Sequence, residues 1–248
     1  MAISSVAVVG ANRLAAELAK LSQAAGLAAT LHADGVTVPT STALVIDTQA
    51  GPESDKRELL RQLDARAPRP AVIVSSCLAF SPTLIASWSA APERVVGFAT
   101  FYPLEEKKVV ELSGGLRVSR AALEQAEEFF RRLGKETARV TDASGLIFPR
   151  ILSLIINEAA RALDEGVAEA EAIDAAMRLG VNYPSGPLRW ADRIGLDEVL
   201  AVLEGAHRET GDDRYRPSPL LKKMAAAGWS GEANGKGFYE YSQSKVDK

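Results

Sequence analysis

The chain of 248 residues is poor in the side chains that staple or metallate small proteins: it has one cysteine, Cys77, and two histidines, His32 and His207. A single thiol excludes an intrachain disulfide and suits a reducing compartment, so the cytoplasm is the expected location. Two histidines with no cysteine near either exclude a histidine-rich metal centre. An excess of one charge is also missing. The 29 Lys and Arg against 32 Asp and Glu leave a formal charge of −3. There is no polybasic footprint, and nucleic acid is not an expected partner. Long apolar runs are absent too. The greasiest stretch, 146–156, carries Pro149 and Arg150 and falls far short of the ~20 residues of a membrane span. The opening residues, MAISSVAVVG, lack the basic start and long apolar segment of a secretory signal.

What is present is an ordinary globular mix, 47% apolar and 25% charged, long enough for one large domain or two modest ones. An apolar run at 6–9 ends at Gly10. Leu14, Leu18, Leu21 and Ala25 then recur at helical spacing until Gly26 closes the pattern. Further strands are expected at 28–32, 43–47, 71–75, 94–98 and 138–140, with helices at 55–65 and 123–133. Apolar strands alternating with amphipathic helices predict an α/β, doubly wound, mostly parallel sheet. After about residue 142 no strand pattern remains. Helices are expected at 149–163, 169–179, 187–194, 197–209 and 219–227, punctuated by Gly166, Gly180, Gly195 and Gly211. The expected domains are thus 1–142, α/β, and 143–248, all helical. The helix at 149–163 starts apolar around most of its circumference, which points to a core or a subunit interface. Residues 242–248 are expected to fray.

A strand, a glycine and a helix are where a dinucleotide-binding fold holds a pyrophosphate. Three glycines serve the tight turn, the close approach of phosphate, and helix–strand packing. Here the turn reads Gly10-Ala11-Asn12-Arg13-Leu14-Ala15. Gly10 keeps the first glycine, Asn12 replaces the second and Ala15 the third. The Asn12 side chain would fill space that phosphate oxygens need, whereas Arg13 is a candidate to pair with a phosphate. Asp34 lies 24 residues beyond Gly10, about where an acid meets a ribose hydroxyl. Gly10, Asn12, Arg13 and Asp34 are the candidate cofactor-binding residues. The alternative is a nucleotide fold that no longer holds its nucleotide.

Several segments together resemble one family. They are Pro92-Glu93-Arg94-Val95-Val96-Gly97, Leu133-Gly134-Lys135, Asn182-Tyr183-Pro184-Ser185-Gly186-Pro187, Ala191-Asp192-Arg193-Ile194-Gly195-Leu196-Asp197, Arg216-Pro217-Ser218-Pro219-Leu220-Leu221 and Gly235-Lys236-Gly237-Phe238-Tyr239-Glu240-Tyr241. In order and spacing they are similar to NAD-dependent 3-hydroxyacyl-CoA dehydrogenases of fatty acid metabolism, including the 3-hydroxybutyryl-CoA type, over nearly the whole chain. The resemblance implies a Rossmann-like domain followed by a helical domain that forms a homodimer. It also implies NAD as cofactor and a nucleotide or acyl-CoA ligand.

The departures fall on the chemistry. The family's catalytic histidine lies in Gly-Leu-His-Phe-Phe-Asn-Pro, which here reads Gly97-Phe98-Ala99-Thr100-Phe101-Tyr102-Pro103, placing Ala99 at that position. The carboxylate that orients the histidine is retained as Glu111. The substrate-binding serine position is Leu78, and a third polar position, an asparagine in the family, is Pro149. Oxidising a 3-hydroxyl by hydride transfer requires a base to take the hydroxyl proton. Alanine, leucine and proline transfer no proton. The family's long helical hairpin between the second and third strands is reduced to a link at 34–42, which leaves one wall of its acyl-CoA site missing or rebuilt. Lys56, Arg57 and Arg61 are candidates to meet phosphates, against the plainer reading of a solvated helix face.

Three readings remain at this level. One is a catalytically degenerate family member, a pseudoenzyme that keeps the fold and the dimer and either binds a nucleotide or acyl-CoA or serves as a partner for an active relative. A second is a working NAD(P)-dependent oxidoreductase on a hydroxyacyl-CoA-like or other small substrate, in which Glu111, Tyr102 or Cys77 handles the proton. A third is an assembly protein whose helical domain is the working part.

Overall fold

The apolar run before Gly10 becomes β1 (Ser5–Val9), a buried strand in a seven-stranded sheet. The structure, a computed structural model, describes residues 3–241, so the expected fraying of 242–248 lies outside the described residues. By contacts the chain forms two units, Met1–Phe148 and Pro149–Lys248.

In the first unit β1 is followed by α1 (Arg13–Ala24), β2 (Ala28–His32), β3 (Leu44–Asp47), α2 (Glu53–Arg66), β4 (Val72–Ser76) and α3 (Pro82–Ser87). Then come β5 (Val95–Ala99), β6 (Val109–Ser113), α4 (Arg120–Arg132) and β7 (Glu136–Arg139). The strand order is β2-β1-β3-β4-β5-β6-β7. Every neighbouring pair is parallel except β5 with β6. Chain entering β3 must pass from one side of β1 to the other, and it does so through an 11-residue link, 33–43, with no helix. The fold is Rossmann-like and mostly parallel, as the alternation of elements predicted.

β3, β4 and β5 are buried at every residue, which is why each opens as an apolar run, with Asp47 ending β3 and Ser75 and Ser76 ending β4. Leu14 and Leu18 of α1 and Ala122, Ala126, Phe129 and Phe130 of α4 pack in one core with Val8, Ile46, Val74, Val96 and Phe98 of the strands. The periodicity analysis did not anticipate β6 or α3. β6 reads Val-Val-Glu-Leu-Ser, with a charge at its centre and two lysines before it. α3 has only six residues, too few for a periodic signal.

Arg94, in the segment Pro92-Glu93-Arg94, is a buried cross-brace. Its guanidinium donates to the Asp64 carboxylate at 2.8 Å and to the carbonyls of Ala67, Pro68 and Ala71 at 3.2 Å each. Burial alone would raise the Asp64 pKa. Hydrogen bonds from Arg94, Ser89 and Ala90 outweigh that and hold it below the usual range.

The second unit is helical: α5 (Phe148–Asp164), which opens with the last residue of the first unit, then α6 (Ala170–Gly180), α7 (Pro187–Ile194), α8 (Leu196–Thr210) and α9 (Pro219–Ala226). Two buried carboxylates tie it together. Asp174 accepts from the backbone N–H of Leu188 at 2.8 Å and Arg189 at 3.0 Å, and from the Tyr239 hydroxyl at 2.8 Å. Asp192 accepts from the N–H of Phe238 and Tyr239, each at 2.9 Å, and from the Tyr241 hydroxyl at 3.0 Å. A Cβ on Gly237 would lie 2.0 Å from Asp192 Oδ1, so only glycine lets the segment close over that carboxylate. Burial pushes the Asp192 pKa up, against those three hydrogen bonds. Among the described residues, no helix is long and apolar enough to cross a membrane, and no group of three or more His, Cys, Asp or Glu is placed to hold a metal.

A carboxylate held below its unfolded value stabilises the fold above about pH 4, and that contribution is lost as pH falls through the folded value. The Asp64→Asn variant is therefore expected to lose about 2 kcal/mol at pH 7. Its deficit relative to the parent should shrink below pH 4, as read by urea unfolding across a pH series.

Candidate functional site

In an open α/β sheet, ligands lie outside the carboxyl ends of the strands where the strand order reverses. Here β2 flanks β1 on one side and β3 on the other, so that point falls between the ends of β1 and β3. Gly10 follows β1 and Thr48 follows β3. Gly10 sits at φ +146°, and a Cβ there would fall 2.1 Å from Thr48 Oγ1. The glycine is required by Thr48 pressing on the turn. Asn12 caps α1 with Oδ1, accepting from the Ala15 N–H at 2.9 Å and from the Thr48 hydroxyl at 2.9 Å. Its Nδ2 donates to the Thr48 carbonyl at 3.3 Å. Asn12 adopts φ −90°, so its tolerance of a left-handed conformation is not in use.

The other cofactor candidates are also engaged within the chain. Asp34 Oδ1 accepts from the N–H of Val36 and Thr37 at 3.0 and 3.2 Å and from the Thr37 hydroxyl at 3.3 Å. With that hydroxyl donating to Asp34, His32 Nδ1 is the donor in its 3.0 Å bond to Thr37 Oγ1, and Nε2 accepts from Thr30 at 2.8 Å. The guanidinium of Arg13 lies 4.4 Å over the Tyr102 ring, which brings together two candidates taken from different motifs.

Lys56 does not lie on a solvated helix face. Its side chain is fully buried and pairs with the equally buried Asp47 at 2.5 Å, while also donating to the Gln49 carbonyl at 2.6 Å. Ser75 donates to the same Asp47 oxygen at 2.7 Å, and Asp47 Oδ1 accepts from the Gln49 N–H at 2.8 Å. Burial lowers the Lys56 pKa, and Asp47 opposes that shift. The sequence analysis had no sign of this cluster beyond an aspartate ending an apolar strand. Arg57 and Arg61 do face solvent, in helical ion pairs with Glu53 and Glu58.

On the far side of the sheet, Ala99 of β5 pairs directly with Glu111 of β6. Directly opposed residues place their Cβ atoms about 4.5–5.5 Å apart on one face, so a ring at position 99 would stand against the Glu111 carboxylate. Ala99 supplies only a methyl group, buried at 2% exposure. The Glu111 carboxylate accepts from the backbone N–H of Ile147 at 2.7 Å and Phe148 at 2.8 Å. Burial raises its pKa, and those two bonds pull the other way without cancelling the shift. Leu78 is buried at 1% exposure, and Pro149 is buried in the first turn of α5. The Cys77 thiol donates to the Phe98 carbonyl at 3.1 Å. Burial drives its pKa well upward despite nearby Lys56, which removes the thiolate a proton acceptor would need.

Family models match both parts of the chain. The 3-hydroxyacyl-CoA dehydrogenase C-terminal domain covers residues 145–241, and the NAD binding domain of the same enzymes covers 34–143. The chain belongs to the 3-hydroxyacyl-CoA dehydrogenase family. It is 41% identical over 202 residues to 3-hydroxybutyryl-CoA dehydrogenase of Bradyrhizobium diazoefficiens, spanning 82% of this chain and 69% of that protein. It is 32% identical over 209 residues to the mitochondrial hydroxyacyl-coenzyme A dehydrogenase of Homo sapiens, spanning 84% and 67%. The crystal structure of (S)-3-hydroxybutyryl-CoA dehydrogenase PaaH1 from Ralstonia eutropha superposes with a TM-score of 0.81 at 30% identity, covering 98% of this chain and all of that one. The NAD-binding-domain match begins at Asp34, so Gly10, Asn12 and Arg13 of this 3-hydroxyacyl-CoA dehydrogenase relative lie outside it.

Removing one partner of a buried ion pair leaves an uncompensated charge. The Lys56→Met variant is expected to lose about 3–5 kcal/mol in urea unfolding, and adding Asp47→Asn should recover most of the loss.

Proposed function

We propose that this member of the 3-hydroxyacyl-CoA dehydrogenase family does not run the family's hydride-transfer reaction and acts as a non-catalytic binding or partner protein. The observation that carries the reading is the Ala99–Glu111 pair: the carboxylate stands, and the residue it faces across the strands cannot accept a proton. Losing a positioned base forfeits about 10²–10⁴ in rate, and each lost polar contact to developing charge costs about 10²–10³ more. Leu78 and Pro149 supply no such contact.

The glycine turn supports the same reading. A pyrophosphate needs the helix N-terminus and open space above the second glycine position. Asn12 uses the Ala15 N–H and reaches Thr48 across the switch point, while Asp34 spends its carboxylate on its own turn. On this reading those contacts compete with a pyrophosphate for the turn, in a chain whose residues 34–143 match the NAD binding domain of the family. Of the ligands the family implies, an acyl-CoA is the one this reading leaves open.

A second reading has one observation in its favour. Burial raises the Glu111 pKa, the direction that suits a carboxyl exchanging protons near neutrality. In that case Glu111, with Tyr102 as a partner acid, serves an active oxidoreductase. Turnover separates the two. With acetoacetyl-CoA and NADH the expected rate is at least about 10² below the ordinary 1–10³ s⁻¹, and a rate within that range overturns the proposal. In a parallel fluorescence titration, NADH is expected to give no saturable signal up to about 1 mM.

We also assign the chain to the cytoplasm and to a homodimer formed through the helical domain, keeping the division 1–142 and 143–248. Support for the dimer comes from apolar side chains left open in the second unit. Ile151 of α5 is 54% exposed, Leu179 of α6 is 77% exposed and Val181 is 54% exposed. Sedimentation at micromolar concentration is expected to show a dimer, and Ile151→Glu to shift it toward monomer with unchanged circular dichroism.

A further inference from the structure

At the end of the sheet opposite the glycine turn, the amino-terminal ends of β3 and β4 and the start of α4 enclose a cleft of about 520 Å³. That volume falls within the range of small-molecule sites. No feature of the dehydrogenase reading uses it, since both the switch point and the Ala99–Glu111 pair lie elsewhere on the first unit.

The groups facing this cleft are of complementary kinds. Pro68, Pro70, Ala71 and Ala122 give it an apolar wall. Thr42 also lines it and is only 3% exposed, yet its hydroxyl has no hydrogen-bond partner among the described residues. Thr42 Oγ1 is not among the described side-chain atoms that are sealed from solvent without a hydrogen-bond partner. The Thr42 hydroxyl is therefore open to the cleft. A buried hydroxyl with no protein partner costs free energy unless water or a ligand satisfies it.

Charge adds a second feature. Ser119 caps α4 by accepting from the Ala122 N–H at 3.2 Å, and Ser119, Ala121 and Ala122 line the cleft. The N–H groups of Arg120 and Ala121 have no partner among the described residues, as the first turn of a helix dictates. Arg94 is committed to Asp64 and three carbonyls. Arg69 lines the same cleft and makes no ion pair or hydrogen bond with a described residue. A helix N-terminus and an unpaired guanidinium both favour an anion. Glu93, on the exposed rim, disfavours a second negative charge.

We propose that this cleft binds a small organic anion. One carboxylate- or phosphate-type group is held by Arg69 and the first N–H groups of α4. A polar substituent of the same molecule bonds the Thr42 hydroxyl, and a compact apolar body lies against Pro68, Pro70, Ala71 and Ala122.

The test is an amide-resolved NMR titration of the full chain with 4-hydroxybenzoate, benzoate, phenyl phosphate and the neutral 4-hydroxybenzamide. Saturable shifts are expected at Thr42, Ala71, Arg120 and Ala121. Arg69→Gln should weaken 4-hydroxybenzoate about tenfold and leave 4-hydroxybenzamide unchanged. Thr42→Val should bring 4-hydroxybenzoate down to the affinity of benzoate. Stronger binding of phenyl phosphate than of benzoate, both of which lack the hydroxyl, identifies the anion as a phosphate, and the reverse identifies it as a carboxylate. The proposal is overturned if none of the three anions gives saturable shifts at these amides below about 10 mM. It is equally overturned if the shifts map elsewhere, or if Arg69→Gln binds all three anions as the parent does.

Discussion

Asp47 and Lys56 place opposite charges in the interior at the carboxyl edge of the sheet, with no exposed surface on either side chain. Neither charge is tolerable there alone, because the desolvation of each is offset only by the other and by Ser75 and Gln49. The pair thereby dictates how the chain leaves β3 and enters α2. Thr48, the next residue after Asp47, is delivered against Gly10 and Asn12. The state of the glycine turn follows from that placement. Whatever the turn can bind is decided by a threonine 38 positions away, held by a buried ion pair.

In the other half of the candidate site, the fold itself gives Glu111 a reason to be a carboxylate. Glu111 bonds the backbone N–H groups of Ile147 and Phe148. Those bonds give it a structural task that does not depend on residue 99. Truncating it would leave two buried donors unsatisfied. The position is thus constrained by the fold whether or not a proton is ever moved there. The motifs that carry the family resemblance have similar physical explanations. Arg94 braces α2 to the sheet, and Gly237 admits the final segment over Asp192. Such residues preserve a fold without specifying its chemistry.

Most of the architecture could be read along the chain because β1, β3, β4 and β5 are buried on both faces and announce themselves as apolar runs. β6 could not, since its central residue is the buried Glu111. Charge in a strand looks like surface until its hydrogen-bond donors are known. The same blindness applied to Lys56: a lysine among Asp55, Arg57 and Glu58 looks solvated, and only the position of Asp47 beneath it shows otherwise. Asp34 gave no sign in the sequence of its bonds to the backbone groups two and three residues ahead.

The sequence by itself determined the alternation of strands and helices, the change to an all-helical second part, the family, and that positions 78, 99 and 149 hold leucine, alanine and proline. These are properties of residue type and order, and they persist in an extended chain. Tertiary structure alone decided that Thr48 meets Asn12, that Lys56 is buried, and that Thr42 opens on a cleft beside α4. Each of those depends on which distant segments are brought within hydrogen-bonding reach. Local periodicity carries no record of that.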